Sequence, residues 1–258
     1  MPHPPRFWQI PPARCCMDSL AQELIDEIIK HVPRRDLIAC SLVARRWRCR
    51  SQQRHFEFVL FTRSNFTRWE VSIPQDSNRI PSYVHHLRFQ STPFGSLEPG
   101  TLARVLKTFT SMISLSICAA HLPSPDELAV PVSLGEFRKG ITRLAFAYSI
   151  ALSARITSFV FSFPNLKELL MYKIHSWDEA PPISPNTSWR PLDLLVVWGV
   201  SEMTYRVLDQ SKLTSRRLSL HPSENGAELL AKSSSKTITE LTLIGMQFLR
   251  ALGKRNLH

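Results

Sequence analysis

The stretch Leu166-Lys-Glu-Leu-Leu-Met171 puts apolar residues at 166, 169 and 171: apolar, two residues, apolar, one residue, apolar. In an extended chain Leu169 and Met171 project to one face while Glu168 and Leu170 project to the other. The same register occurs seven times from residue 84 onward: Val84, Leu87, Phe89; Met112, Leu115, Ile117; Ile141, Leu144, Phe146; Leu166, Leu169, Met171; Leu192, Leu195, Val197; Ser215, Leu218, Leu220; and Ile238, Leu241, Leu243. The middle residues lie 28, 29, 25, 26, 23 and 23 positions apart. A short strand recurring at that interval, with enough chain between copies to return to the same edge, predicts a sheet built one rung at a time.

This register and period resemble the leucine-rich repeat. The resemblance implies an α/β architecture in which 84–258 form an irregular solenoid with a curved, mainly parallel sheet. Leu102 to Phe109 and Ala151 to Phe161 are expected return segments. The asparagine or cysteine that usually follows the strand is absent from most copies, so the resemblance implies irregular repeats without the usual polar ladder at that turn. A non-solenoid mixed domain with short strands is the alternative fold.

If the register residues face the core, the alternate positions face outward, where solenoids hold partners. They read His86, Arg88, Gln90; Ser114, Ser116, Cys118; Arg143, Ala145, Ala147; Glu168, Leu170, Tyr172; Leu194, Val196, Trp198; Arg217, Ser219, His221; and Glu240, Thr242, Ile244. The outer rungs are polar, whereas Leu170, Tyr172, Leu194, Val196 and Trp198 form an apolar and aromatic cluster on a face expected to be solvated. That cluster is the candidate substrate-binding patch. Two other readings stand beside it: the Pro-rich loop Glu179 to Pro185 or a return helix covers it, or a one-residue slip turns that strand's face inward.

Upstream, Ser19 is an N-cap candidate with Gln22 three residues on, which predicts a helix start there. Leu20, Leu24 and Ile28, with Ile25, Ile29 and Val32, give it a broad apolar face, and Pro33 ends it. Asp36 is placed to cap a second helix carrying Leu37, Ile38, Leu42 and Val43, and Trp47 falls in a third. The two segments Ser19-Leu-Ala-Gln-Glu-Leu-Ile-Asp-Glu-Ile-Ile29 and Arg35-Asp-Leu-Ile-Ala-Cys-Ser-Leu-Val-Ala-Arg-Arg-Trp47 resemble the F-box, particularly its fungal F-box-like branch. The chain departs from the family at Ala21, where a proline usually follows the leading leucine. The resemblance implies docking on the Skp adaptor of an SCF ubiquitin ligase, with Leu20, Leu24, Ile25, Ile28, Leu37, Leu42, Val43 and Trp47 as candidate adaptor contacts. The competing reading is that these residues only pack against the following domain.

The expected organisation is a disordered tail at 1–16 rich in Pro and Arg, an F-box-like module at 17–56, a connector at 57–83 and the repeats at 84–258. No stretch approaches the length of a membrane span, and residues 1–16 lack a secretory apolar core. The chain is expected to work in the cytoplasm or nucleus. Five cysteines, at 15, 16, 40, 49 and 118, show no metal-ligand spacing and an odd count that argues against a disulfide framework. Solenoids usually shield their last rung, and no clearly polar cap follows Ile244, so an exposed apolar end, a self-association surface or an early stop is expected.

Net charge is +11, from 32 Lys and Arg against 21 Asp and Glu. Much of the excess lies at Arg34, Arg35, Arg45, Arg46, Arg48, Arg50 and Arg54, with Asp36 the only acid among them. A solvated helix face accounts for such a run, and nuclear import or a nucleic-acid patch is the alternative. Catalysis would require a nucleophile beside a base, a carboxylate pair or three metal ligands, and none stands out. Gly-rich phosphate-cradling runs are absent, and His85-His86 and Cys15-Cys16 are neighbours whose side chains diverge in a strand. No catalytic residue and no cofactor is assigned. The function read from the sequence is a substrate receptor for a ligase, the repeats binding a target protein. A repeat scaffold or anion-binding protein is the alternative.

Overall fold

A computed structural model describes residues 20–62, 65–66, 68–69, 79–96, 107–121, 139–148, 159–174, 191–210, 213–221 and 236–243. The chain divides into two units, Met1–His55 and Phe56–His258.

The first unit is helical. Helix α1 spans Gln22–His31, a 3-10 turn spans Arg34–Asp36, α2 spans Leu37–Val43 and α3 spans Arg45–Phe56. The helix start expected at Ser19 is displaced: Ala21 is the N-cap, its backbone extended, and its carbonyl accepts from the N–H groups of Leu24 and Ile25 at 3.1 and 3.2 Å. Gln22 is therefore not the third helical residue of a capping box, and its amide instead donates to Asp26 Oδ1 at 2.9 Å. Val32 is extended, as a residue preceding proline prefers, so α1 closes there. Asp36 occupies the N-cap of α2 but makes no side-chain cap; the 3-10 turn before it supplies the entry. Ala44, at φ −154° and ψ 157°, breaks the chain between α2 and α3. Ile25, Ile29, Leu37 and Trp47 form the core, with Leu20, Val32, Cys40 and Ala44 packed against it.

The second unit is a sheet of eight strands in sequence order, every neighbouring pair parallel. The strands are β1 Phe58–Thr62, β2 His86–Ser96, β3 Ser114–His121, β4 Arg143–Ala147, β5 Glu168–Tyr172, β6 Leu192–Trp198, β7 Ser215–Leu220 and β8 Glu240–Leu243. All seven predicted registers fall at these strands, and in the first six sets every register residue is buried, Ser215 included. In the seventh, Ile238 is partly buried and Leu241 exposed, on the last strand of the described sheet. The register is continuous: Leu87, Leu115, Leu144, Leu169, Leu195, Leu218 and Leu241 are successive partners. Each rung thus stacks on its neighbour with like on like, and burying aliphatic and aromatic side chains over seven strands is the main stabilising term.

Strand β1 lies inside the segment expected to be a connector. It repeats the same spacing one period earlier, with Phe56, Val59 and Phe61, and Val59 pairs with Leu87. Phe61 is buried against the rings of Phe66, Trp69, Phe89 and Phe109, at centroid distances of 5.4 to 5.6 Å. Of the elements between strands, α4 spans Ile80–Tyr83 and α5 spans Glu202–Gln210; α5 buries Thr204, Tyr205 and Leu208 beside the strands. Most of the return segments expected at Leu102 to Phe109 and Ala151 to Phe161 lies outside the described residues, as do the loop at Glu179 to Pro185 and everything after Leu243.

Candidate functional site

Two surfaces, one on each unit, carry the candidate residues. On the helical unit the spacing of α1 divides its apolar residues between two faces. Ile25 and Ile29, four apart, point into the core, while Leu24 and Ile28 lie one position earlier and are 55% and 42% exposed. Helix α2 is divided likewise. Leu37 is buried, whereas Ile38, Leu42 and Val43 are 56%, 75% and 52% exposed. Of the eight candidate adaptor contacts, Ile25, Leu37 and Trp47 are committed to the unit's own core, Leu20 is half-buried against it, and Leu24, Ile28, Leu42 and Val43 face outward. Ile38, not among those eight, has the same exposed character; its place four residues before Leu42 on one helix face was the available signal. Five large apolar side chains presented by two short helices are more than a solvated surface needs.

The arginine run lies largely on α3. Arg45, Arg46 and Arg48 are exposed in its first turn, which contains no acid, and cations there oppose the helix dipole. Arg34 has a structural use: its Nε and Nη2 donate to the His55 carbonyl at 3.3 and 3.1 Å, tying the 3-10 turn to the end of α3. Arg50 approaches Asp26 at 4.0 Å.

These features meet one comparison. Residues 17–58 match the F-box domain model. The helical unit carries an F-box domain. F-box domains bind Skp-type adaptors of cullin ligases, and proteins that contain them are in general non-enzymatic substrate adaptors. The match covers the three helices and the first residue of β1 and does not extend over the rest of the sheet. No curated protein matches the chain.

On the sheet, alternation places the candidate patch as a two-strand ridge. Leu170 pairs with Val196 and Tyr172 with Trp198 across β5 and β6, while Leu194 pairs with Glu168, and all are half-buried. The rings of Tyr172 and Trp198 stack at 4.2 Å with an interplanar angle of 28°. On one side Tyr148 meets Tyr172 edge-on at 5.0 Å, and on the other His221 lies 5.9 Å from Trp198. One aromatic row therefore crosses the carboxyl ends of β4, β5, β6 and β7. Burial, and then the hydrogen bond with Tyr148, push the Tyr172 hydroxyl well above its ordinary pKa, so it stays protonated.

Tyr148 and Lys173 extend the patch beyond the residues that alternation identifies. Each immediately follows its strand and adopts a left-handed backbone, with φ of 53° and 49°; Gly199 at 64° is the equivalent in the next rung. The turn has a repeating bond: Tyr148 N–H donates to the Tyr172 carbonyl at 2.9 Å, and Lys173 N–H donates to the Trp198 carbonyl at 2.7 Å. A backbone amide thus links rungs at these turns without an asparagine side chain. Lys173 Nζ rests 5.3, 5.6 and 5.7 Å from the ring centroids of Tyr148, Tyr172 and Trp198, within reach of all three π faces. Among the described residues no group of His, Cys, Asp and Glu could hold a metal ion, and no helix is long and apolar enough to cross a membrane.

Proposed function

We propose that this chain is a substrate receptor of an SCF-type ubiquitin ligase, its F-box holding the adaptor and its sheet holding a target protein. The carrying observation is the F-box match over 17–58 coinciding with outward stripes of Leu24, Ile28, Ile38, Leu42 and Val43. A helical partner would cover these residues and remove their apolar surface from water, at roughly 25 cal/mol per Å² buried. Leu20 belongs at the edge of that contact. Ile25, Leu37 and Trp47 act indirectly, by holding the two helices in place.

For the second unit the reading is an irregular leucine-rich-repeat solenoid. Its support is one parallel strand per 23 to 29 residues, taken in strict sequence order with a constant inward register. The target-binding surface is the outward ridge Leu170, Tyr172, Leu194, Val196 and Trp198. Chemistry then occurs in other subunits, and the chain contributes proximity in the cytoplasm or nucleus.

The test is reconstitution of the full chain with a Skp-type adaptor and cullin, comparing wild type with Leu24→Asp and Leu42→Asp at two salt concentrations. Binding that persists at higher salt and disappears in both folded variants supports the apolar docking mode. No binding by folded wild type overturns it. A second reading rests on Arg45, Arg46 and Arg48, exposed without acids in the first turn of α3: binding to nucleic acid, which would weaken steeply between the same two salt concentrations.

A further inference from the structure

The outward face of the sheet is not uniform in charge along its strands. At the strand starts, Arg143 pairs with Glu168 at 3.4 Å, and Arg217 lies in register with Glu240. The strand ends are different. In register they read Thr62, Gln90, Cys118, Ala147, Tyr172 and Trp198, followed by His221 beyond β7, and none is acidic. Glu168 is four residues from Tyr172 on its own strand, a separation of about 13 Å. Lys173 follows β5 at this end of the strands, where none of the strand-end residues named is acidic. Its ammonium is exposed and lies over three aromatic rings, with no carboxylate within 4.0 Å among the described residues.

Beside the ridge the floor drops. Ala145 and Ala147 are the register partners of Leu170 and Tyr172, and Ser116 and Cys118 are the next partners outward. Ser116, Ala145 and Ala147, small and half-buried, thus form a step beside the bulkier Leu170 and Tyr172, while Cys118 is buried. An apolar or aromatic group fits that step. A cation arriving at the same place would meet the charge of Lys173, whereas a carboxylate would neutralise an ammonium already held in position.

We propose that the ridge takes an extended peptide segment of a target in which a carboxylate, of Asp or Glu, stands next to a large apolar or aromatic side chain. The carboxylate pairs with Lys173, and its neighbour packs on Tyr172 and Trp198 above Ala145 and Ala147. This inference rests on the reading of the outward face as the target-binding surface and specifies the chemistry recognised there. The chain's net charge of +11 favours encounter with an acidic segment.

The experiment selects a random peptide library on the purified full chain, then measures anisotropy of labelled winners and of versions with each acid changed to Gln or Lys. The proposal expects winners rich in Asp or Glu beside an aromatic residue or leucine. Glu→Lys in the peptide should weaken binding by roughly tenfold, Lys173→Glu should reverse that order, and Trp198→Ala should abolish it. Lys173 is exposed and Lys173→Glu should leave the far-ultraviolet circular dichroism, which reports the backbone fold, unchanged, so loss of fold does not mimic the result. Winners that need Trp198 but are neutral or basic and ignore Lys173→Glu overturn the carboxylate and leave the target-binding face standing. Binding indifferent to both variants overturns the face as well.

Discussion

A β-carbon placed on Gly199 would lie 2.9 Å from Cγ of Lys173, closer than side-chain atoms approach without moving. Gly199 and Lys173 are equivalent turn residues on successive rungs, both left-handed, so the aliphatic stem of Lys173 lies over a position that must lack a side chain. Gly199→Ala is expected to lower stability by about 1–2 kcal/mol for the left-handed backbone. It should also push Lys173 off the three rings, altering the near-ultraviolet circular dichroism of the tyrosine and tryptophan cluster. An unchanged melting temperature and spectrum would contradict this account of the turn.

Leu42 and Trp47 should separate docking from folding. Leu42 is 75% exposed, so Leu42→Asp should change the melting temperature of the helical unit little while removing adaptor binding. Trp47 is 4% exposed and belongs to a small hydrophobic core with Ile25, Ile29 and Leu37. Trp47→Ala should therefore cost about 3–5 kcal/mol and unfold the helices, losing binding by a different route. Circular dichroism and adaptor capture on the same samples distinguish the two, and a folded Trp47→Ala unit would refute the assignment.

Ser215 is fully buried at the first register position of its rung, where the preceding rungs carry Val84, Met112, Ile141, Leu166 and Leu192. Among the described residues its hydroxyl has no hydrogen-bond partner. A buried unsatisfied hydroxyl is costly, so Ser215→Ala is expected to raise stability by about 1 kcal/mol. Chemical denaturation of the two proteins reads the difference directly, and a destabilised alanine variant would reveal a bond to that oxygen.

Acid should weaken both units through half-buried histidines. Burial lowers the pKa of His55 in α3 and, aided by His85 and Arg143, that of His86 at the start of β2. A depressed folded-state pKa means that the unfolded chain binds the proton first. Stability present above the unfolded value of 6.5 is therefore lost as pH falls through the folded values. Melting temperature should decline on acidification from pH 7 to about pH 5, and His55→Gln together with His86→Gln should flatten that decline. An equally steep profile in the double variant would assign the acid sensitivity to carboxylates.

The strands were legible because their cause is local. A two-residue alternation marks which side chains can be buried together, and its recurrence at a near-constant interval implies stacking, so the inward residues from Val84 to Leu220 could be named before any fold was known. The same spacing at Phe56, Val59 and Phe61 marks β1, but its first member is also the last residue of α3, so helix and strand patterns overlap there. The F-box helices were legible from their spacing. Their boundaries were not, because the start of α1 depends on Ala21 being extended rather than on the polar residues before it.

What the sequence by itself determined was which residues recur and with what period, since periodicity follows from backbone geometry alone. What only the tertiary structure decided was which apolar residues are spent. Leu24 and Ile25 are neighbours of one kind in the sequence, yet one is exposed and the other buried, because the direction of the core is set by packing with Leu37 and Trp47 from other helices. Likewise no pattern announces Lys173. Its place over Tyr148, Tyr172 and Trp198 arises only when three strands, separated by more than twenty residues each, come into register. A contact between rungs is a property of their stacking, and the chain acquires it only on folding.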